Sequence, residues 1–153
     1  MRLWHVDLIP YLPKSQLLAQ WRELNSIYKK RDKHILINYI YDYPKEYLFD
    51  YSCVVIKEIY NRHIRIKSCD NFVDYFYSEI DFVARKLIYF VSTNIITEYF
   101  FKEHNNEYLT ICYYNLKEKY LRGQKDFTKE IWDKLNSFYK SKMRGGINEK
   151  YFN

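Results

Sequence analysis

The amino-acid sequence predicts an all-α protein, a single compact helical domain of about five helices with an extended N-terminal arm. The chain has 153 residues but only three glycines and three prolines, too few for the many turns of an all-β fold. Apolar residues also recur at helical spacing over long stretches. At this length, the chain can bury a core without disulfide bonds or a structural metal.

The arm and the first helix are predicted for the first thirty residues. Residues 1–12 form the arm, and a helix capped by Ser15 runs from there to about residue 30. Because successive helical residues lie about 100° apart, Arg22 and Glu23 flank the apolar stripe on opposite sides and can border a groove. The stripe itself consists of Leu17, Trp21, Leu24 and Tyr28.

Four further helices follow a basic run, Lys29–His34, and a connection over residues 35–43. They are predicted at about 45–62, 71–92, 105–121 and 127–141 from the spacing of apolar residues. The β-branched stretch 93–104 leaves a short strand open as an alternative. Residues 1–142 are therefore predicted to form the domain, and residues 143–153 a polar C-terminal tail.

The charge of the chain favours a polyanionic partner. Lys and Arg number 25 against 19 Asp and Glu, a net charge of +6, and basic groups gain free energy on phosphates by releasing counterions. Aromatic residues make up 20% of the chain and can stack on unpaired bases. An AT-rich genome enriches Tyr and Phe as well, so the rings do not decide between the two explanations.

Cysteine usage and hydropathy indicate where the protein acts. Cys53, Cys69 and Cys112 lack metal-ligand spacing and are odd in number, which argues against a disulfide or zinc framework. No stretch approaches the roughly 18 apolar residues of a membrane span, and the N-terminus lacks a signal-peptide pattern. We therefore expect a cytoplasmic monomer with no membrane partner.

Few groups in the sequence suggest chemistry. Glycine-rich nucleotide loops, zinc-protease motifs and nucleophilic-serine motifs are all absent, and the four histidines lack ligand spacing. The α-amine is one candidate, because more of it is unprotonated near neutral pH than of a lysine side chain. The carboxylate of Glu23 is the other, although a Glu beside Arg22 can equally be a surface ion pair.

Residues 8–24, LIPYLPKSQLLAQWREL, carry a resemblance to a known family. Their apolar pattern, alanine and Arg-Glu-Leu are similar to the first helix of the pyrimidine-dimer DNA glycosylases, also called phage-type endonuclease V. A bacterial branch that begins MRLWH is the more similar. Residues 39–66 resemble a later helix of the family, and shorter matches lie at 115–119 and 138–140. Ser26 stands where the family has a phosphate-binding arginine.

The resemblance implies a DNA-repair glycosylase with apurinic-site lyase activity on UV-damaged, double-stranded DNA, without a metal or an organic cofactor. In that family, the N-terminal amine attacks C1′ of the damaged nucleotide to form an imine, and β-elimination then nicks the strand. Since a long second residue, Arg2, normally blocks removal of the initiator methionine, we expect Met1 to supply the amine. The implied catalytic residues are Met1, Arg22 and Glu23, and the implied DNA contacts are Arg2, Lys33, Lys119 and Lys140.

Two other functions stay open on the sequence. The differences from the family at Arg2 and Ser26 are compatible with a non-catalytic DNA-binding module of the same fold. A protein-interaction domain with an incidental basic face is the third alternative. Either Trp4 or Trp21 is a candidate to wedge into a kinked duplex, although Trp21 also fits the apolar stripe of the first helix.

Overall fold

All the regular elements in the described part of the chain are helical. The computed structural model describes residues 1–76 and 100–150, and side chains up to residue 145. The α-helices are α1 (Lys14–Lys29), α2 (Lys45–Asn61), α3 (Asp70–Phe76), α4 (Asn106–Leu121) and α5 (Lys129–Lys150), and two 3₁₀ helices span Val6–Tyr11 and Asn38–Asp42. The all-α prediction is confirmed for these residues.

The helix bounds agree with the sequence pattern except at α5. Helices α1, α2 and α4 begin and end close to their predicted limits. The predicted third helix is observed as α3, and its remainder after Phe76, like the alternative strand up to residue 99, lies outside the described residues. Helix α5 continues to Lys150 instead of ending near 141. Lys142, Met143 and Arg144 favour a helix without adding to an apolar stripe, but the passage through Gly145 and Gly146 has no explanation in helix propensity.

The arm is not extended throughout, contrary to the prediction. Val6–Tyr11 form a 3₁₀ helix. The ring of His5 caps it, because Nδ1 of His5 accepts a hydrogen bond from the Asp7 N–H at 3.2 Å, and the Leu8 N–H donates to the His5 carbonyl at 2.9 Å. Apolar spacing carries no signal for such a cap, which is why the sequence pattern missed it.

The N-terminal cap of α1 also differs from the prediction. Ser15 lies inside the helix, and its N–H and Oγ both donate to the carboxylate of Asp126, at 2.6 and 2.8 Å. The Pro13 carbonyl accepts the first helical hydrogen bonds, from the Gln16 and Leu17 N–H groups. An acidic side chain distant in sequence therefore satisfies a free N–H at the start of α1.

The contacts of the chain group it into two compact units. The first unit comprises Met1–Leu3 and Leu18–Phe101, and the second comprises Trp4–Leu17 and Lys102–Asn153. The bounds of the predicted domain, 1–142, and of the tail, 143–153, stay a prediction. Each unit is described by itself below.

The first unit has an aromatic core in which α1, α2 and α3 meet. The rings of Phe49 and Phe76 lie 5.1 Å apart, and Tyr28 packs edge-on against Phe72 at 5.9 Å. One apolar stripe of α2 is buried, at Leu48, Tyr51, Val55 and Ile59. This packing holds the Leu18–Lys29 part of α1 in place, and with it the two faces on which the candidate site is built.

In the second unit, α4 and α5 pack through stacked rings. Tyr113 and Tyr139 are parallel with centroids 3.8 Å apart, and Tyr120 stacks on Trp132 at 5.0 Å. Leu109, Cys112, Leu116 and Leu135 are fully buried. Much of the aromatic content of this unit is thus used in packing.

Candidate active site

The beginning of the chain lies against Glu23 of helix α1. The Arg2 backbone N–H donates to Oε2 of Glu23 at 3.3 Å. The amide of Gln20, one turn earlier on α1, donates to the same Oε2 at 3.3 Å and to the Arg2 carbonyl at 3.2 Å. The structure therefore brings together Arg2, Glu23 and the residue that precedes Arg2, Met1.

Gln20 is held in turn by Tyr51 of α2. The Tyr51 hydroxyl donates to Oε1 of Gln20 at 3.0 Å, so the amide has its oxygen toward α2 and its NH₂ toward Arg2 and Glu23. Both side chains are buried, and a buried amide needs all of these partners. We did not identify Gln20 from the sequence, and Tyr51 was predicted only as a core residue. The available signal was a glutamine three residues before Glu23 on the same helix face.

The environment of Glu23 perturbs its carboxyl group. Burial raises the pKa of Glu23 above its ordinary value, because the charged form loses water. The Arg2 N–H, the positively charged N-terminus, Arg22 and His34 oppose this rise. A carboxyl group with a raised pKa exchanges protons closer to neutral pH, which suits general acid–base catalysis. The N-terminal charge acts on Glu23 directly, as expected if the α-amine is to react beside it.

The basic run after α1 is held by Tyr41. The Tyr41 hydroxyl accepts a hydrogen bond from the Asp32 N–H at 2.7 Å, and the Arg31 guanidinium lies 4.7 Å from the ring centroid. Lys33 is exposed. The neighbouring His34 acts electrostatically on Glu23 and opposes the rise of its pKa, so this run contributes positive potential near the carboxyl group.

Arg22 lies on a different face of α1 from Glu23 and lines a groove of about 560 Å³. This volume is within the range of ligand-binding pockets. Four cations, Arg22, Lys29, Arg65 and Lys67, line the groove. Sequence analysis missed the last two, because the loop after α2 has no regular pattern to place them beside α1.

The other predicted residues are observed as follows. Lys119 lies on α4 and is partly exposed, and Lys140 lies on α5 and is exposed. Their contacts with DNA stay a prediction. Trp4 and Trp21 are each only 6% exposed. Because inserting either ring between base pairs would first require removing it from the core, the structure does not support the wedge.

Two further features are absent from the described residues. No group of three or more histidine, cysteine or acidic residues there has an arrangement that would hold a metal ion. No described helix combines the length and apolar character needed to cross a membrane. The residues that the structure does bring together are thus an amine, a carboxyl group and several cations.

Comparison with known proteins gives one match. A family model described as pyrimidine dimer DNA glycosylase matches residues 1–71. The matched segment contains Glu23 and Arg22 as well as both groove residues of the loop after α2, whereas Lys119 and Lys140 lie beyond it. Neither the curated proteins nor the solved structures include a significant match. The resemblance of this chain to the pyrimidine dimer DNA glycosylase family is therefore confirmed over residues 1–71.

Proposed function

We propose that this protein is a DNA-repair glycosylase with apurinic-site lyase activity on double-stranded DNA that contains pyrimidine dimers. The observation that carries the proposal is the hydrogen bond from the Arg2 N–H to Glu23. It joins the N-terminus to a partly buried carboxyl group within the segment that matches the family. An amine and a carboxyl group suffice for imine chemistry without a cofactor.

In the proposed first step, the neutral Met1 amine attacks C1′ of the damaged nucleotide. A bond forms between the nitrogen and C1′, the glycosidic bond breaks, and the base leaves with the bonding electrons and takes up a proton. The nitrogen loses a proton to Glu23, and the C1′–O4′ bond of the sugar then breaks as O4′ takes up that proton, which leaves the nitrogen doubly bonded to C1′ in a cationic imine. The Glu23 carboxylate, once re-formed, stabilises this cation across a short distance in a partly desolvated site.

In the proposed second step, the imine makes the C2′ hydrogen acidic. Glu23 removes this proton, the C2′–C3′ double bond forms, and the C3′–O bond breaks so that the phosphate leaves with the electrons. Water then hydrolyses the imine and regenerates the amine. Arg2, Arg22 and Lys33 hold phosphates or the sugar, and Lys119 and Lys140 are the proposed outer contacts. Gln20 and Tyr51 are positioning residues, because they fix the Glu23 carboxyl through hydrogen bonds.

The proposal is tested on three duplexes that differ only at one position. One contains a cyclobutane pyrimidine dimer, the second an abasic site, and the third neither lesion. The intact N-terminus is first verified by mass spectrometry. We expect glycosidic cleavage and nicking of the first duplex, nicking of the second and no reaction with the third. If the protein binds all three duplexes but cleaves none, the non-catalytic DNA-binding module replaces the proposal.

A further inference from the structure

The groove lies on a face of α1 away from the Glu23 carboxyl group, and Arg22 is the residue of the candidate active site that lines it. Leu18, Arg22, Asn25 and Lys29 line it, and their spacing of i, i+4, i+7 and i+11 places them in one stripe along the helix. Glu23 is not among the described lining residues and falls more than about 100° around the helix from this stripe. The groove and the carboxyl group can therefore contact different parts of one substrate.

A tight turn at the end of α2 directs the following loop toward the groove. His63 adopts the left-handed conformation, with φ of 53°. Its N–H donates to the Tyr60 carbonyl, and the Ile64 N–H donates to the Ile59 carbonyl, at 2.9 and 3.1 Å. These two bonds form a Schellman motif, which ends a helix and reverses the chain sharply. The orientation of the loop is thus fixed by backbone hydrogen bonds.

The loop then presents its cations outward. Arg65 and Lys67 are exposed, while Ile66 between them is partly buried and also lines the groove. The wall is tied to α1 through α3, because the Asn71 amide donates to Oδ1 of Asn25 at 2.9 Å. Both sides of the groove are therefore held in a defined position relative to each other.

Among the described residues, no cation of the groove is neutralised by an ion pair, although Arg22 acts electrostatically on Glu23. Over residues 1–76 and 100–145, Arg22, Lys29, Arg65 and Lys67 form no ion pair, whereas nearby Arg62 pairs with Glu58 at 2.6 Å. No carboxylate occurs among the described lining residues, which also include two serines, Ser26 and Ser68. Unpaired cations close together repel one another, and a polyanion that enters the groove relieves this repulsion.

We infer that the groove binds the phosphodiester backbone of the DNA strand beside the lesion, with Arg65 and Lys67 as backbone contacts. Arg65 and Lys67 supply positive charge to the groove from the loop after α2, and Arg22 and Lys29 supply it from α1. The inference rests on the proposed function, which supplies the lesion in the bound DNA. It assigns to Arg65 and Lys67 a role in binding DNA but not in the chemical steps.

The experiment compares R65Q/K67Q with K14Q/K125Q, which removes the same charge from exposed residues outside the groove. Affinity for an undamaged duplex is measured over a range of salt concentrations. Each lost phosphate contact lowers the slope of log K against log salt by about 0.9. We expect the slope to fall by about 1.8 for R65Q/K67Q and by less than half of that for K14Q/K125Q. Equal slopes in the two variants would overturn the inference.

Two further measurements test whether the groove prefers phosphodiesters to other polyanions and whether it acts in DNA binding. Polyglutamate at equal charge concentration is expected to displace the duplex poorly from the wild type, and equally effective displacement would contradict a phosphodiester site. The protein concentration at which abasic-strand nicking is half-maximal is expected to rise in R65Q/K67Q and to stay at the wild-type value in K14Q/K125Q, and equal values in the two variants would contradict a role in binding.

The proposed function can fail while this inference stands. If the wild type nicks no damaged duplex but R65Q/K67Q still has the lower salt slope, the groove is a DNA-binding site and the catalytic proposal is wrong. If the wild type nicks abasic DNA but the salt slope of R65Q/K67Q equals that of the wild type, the catalytic proposal stands and the groove is not a phosphodiester site.

Discussion

Two clusters of buried polar groups hold neighbouring parts of the N-terminal segment, one in each unit. The carboxyl cluster, Gln20, Glu23 and Tyr51, holds the backbone of Arg2 in the first unit. The histidine pair, His5 and His104, holds the following residues in the second. Burial favours the neutral form of the titratable group in both clusters. It therefore raises the pKa of the acid Glu23 and lowers the pKa of the base His104.

The histidine pair uses its ring nitrogens for the fold. Nδ1 of His104 accepts from the Val6 N–H at 3.1 Å, Nδ1 of His5 accepts from the Asp7 N–H, and Nε2 of His5 donates to the His104 carbonyl at 2.9 Å. The rings stack with centroids 5.4 Å apart. Burial, followed by the neighbouring His5, lowers the pKa of His104 to about 3. Both histidines are thus held neutral as hydrogen-bonding groups.

The carboxyl cluster differs because one of its atoms stays available. Both hydrogen bonds to Glu23 reach Oε2, and Oε1 receives none from the residues that the structure describes. Glu23 also interacts with the N-terminal charge. The comparison teaches that a perturbed pKa indicates a functional group only where the group is not fully used by the fold.

The largest expected effect is the loss of chemistry on replacing Glu23. Glu23→Gln keeps the size of the side chain and an acceptor for the Arg2 N–H but cannot carry a proton to or from the substrate. We expect nicking of an abasic duplex to fall by about 100-fold or more, the usual contribution of general acid–base catalysis. Duplex affinity should change by less than threefold. Single-turnover nicking and a filter-binding titration measure the two quantities.

Glu107→Gln is the matched control, since Glu107 is exposed on the first turn of α4, and we expect it to nick at the wild-type rate. If Glu23→Gln nicks at the wild-type rate, Glu23 takes no part in the chemistry, and the carboxyl cluster, like the histidine pair, serves only the fold.

The second prediction concerns acid stability and the histidine pair. Because the pKa of His104 is lowered from 6.5 to about 3, the folded protein binds fewer protons than the unfolded chain between these values. Its contribution to stability is complete above pH 6.5 and declines as the pH falls, by about 1.4 kcal/mol per pH unit. Urea unfolding from neutral to acidic pH measures this slope. In His104→Asn, whose Oδ1 can accept from Val6 without titrating, we expect a shallower slope, and an unchanged slope would refute the assignment.

The third prediction tests the hydrogen bond that fixes Gln20. Tyr51→Phe keeps the ring in the core but leaves Oε1 of Gln20 without its hydrogen bond, which costs about 1–2 kcal/mol of unfolding free energy. If Tyr51 positions Glu23, the pH at which nicking is half-maximal should also shift. A loss of stability with an identical pH profile would show that Tyr51 serves the core alone. Tyr139→Phe is the control for removing a hydroxyl, because Tyr139 stacks on Tyr113 and its hydroxyl hydrogen-bonds Thr110 in the other unit.

The smallest expected effect is on stability at Glu23 itself, with a sign opposite to that of the histidine pair. Because the pKa of Glu23 is raised above 4.5, folding is opposed once the pH exceeds this ordinary value and the charged form must be partly buried. Glu23→Gln should therefore be at least as stable as the wild type near neutral pH, with no difference below the ordinary value. Thermal unfolding at both conditions checks this, and a variant that is less stable only at neutral pH would contradict it.

The sequence was sufficient to predict the helices and their apolar faces. The stripe from Leu17 to Tyr28 is buried as expected, because burial of a helix face follows from spacing alone. Gln20 could not be assigned, since its role depends on Tyr51 and Arg2, which only the folded chain brings together. For the same reason the sequence did not show that Asp126 caps the start of α1.

The groove shows the same limit. Arg65 and Lys67 lie in a loop whose direction depends on the backbone of His63, a residue with no glycine-like signal in the sequence. Helical spacing places Arg22 and Glu23 on opposite sides of the apolar stripe. Only the folded chain shows that Arg22 lines a groove with the loop after α2, whereas Glu23 accepts a hydrogen bond from Arg2.

The most direct measurement is to trap the proposed imine. The protein, with its N-terminus verified, is incubated with a duplex that contains one abasic site, and borohydride is added to reduce any imine to a stable amine. The account predicts a covalent adduct, mapped by mass spectrometry to the α-amine of Met1 and strongly reduced in Glu23→Gln. An adduct on a lysine side chain, or none while the duplex stays bound, would contradict it.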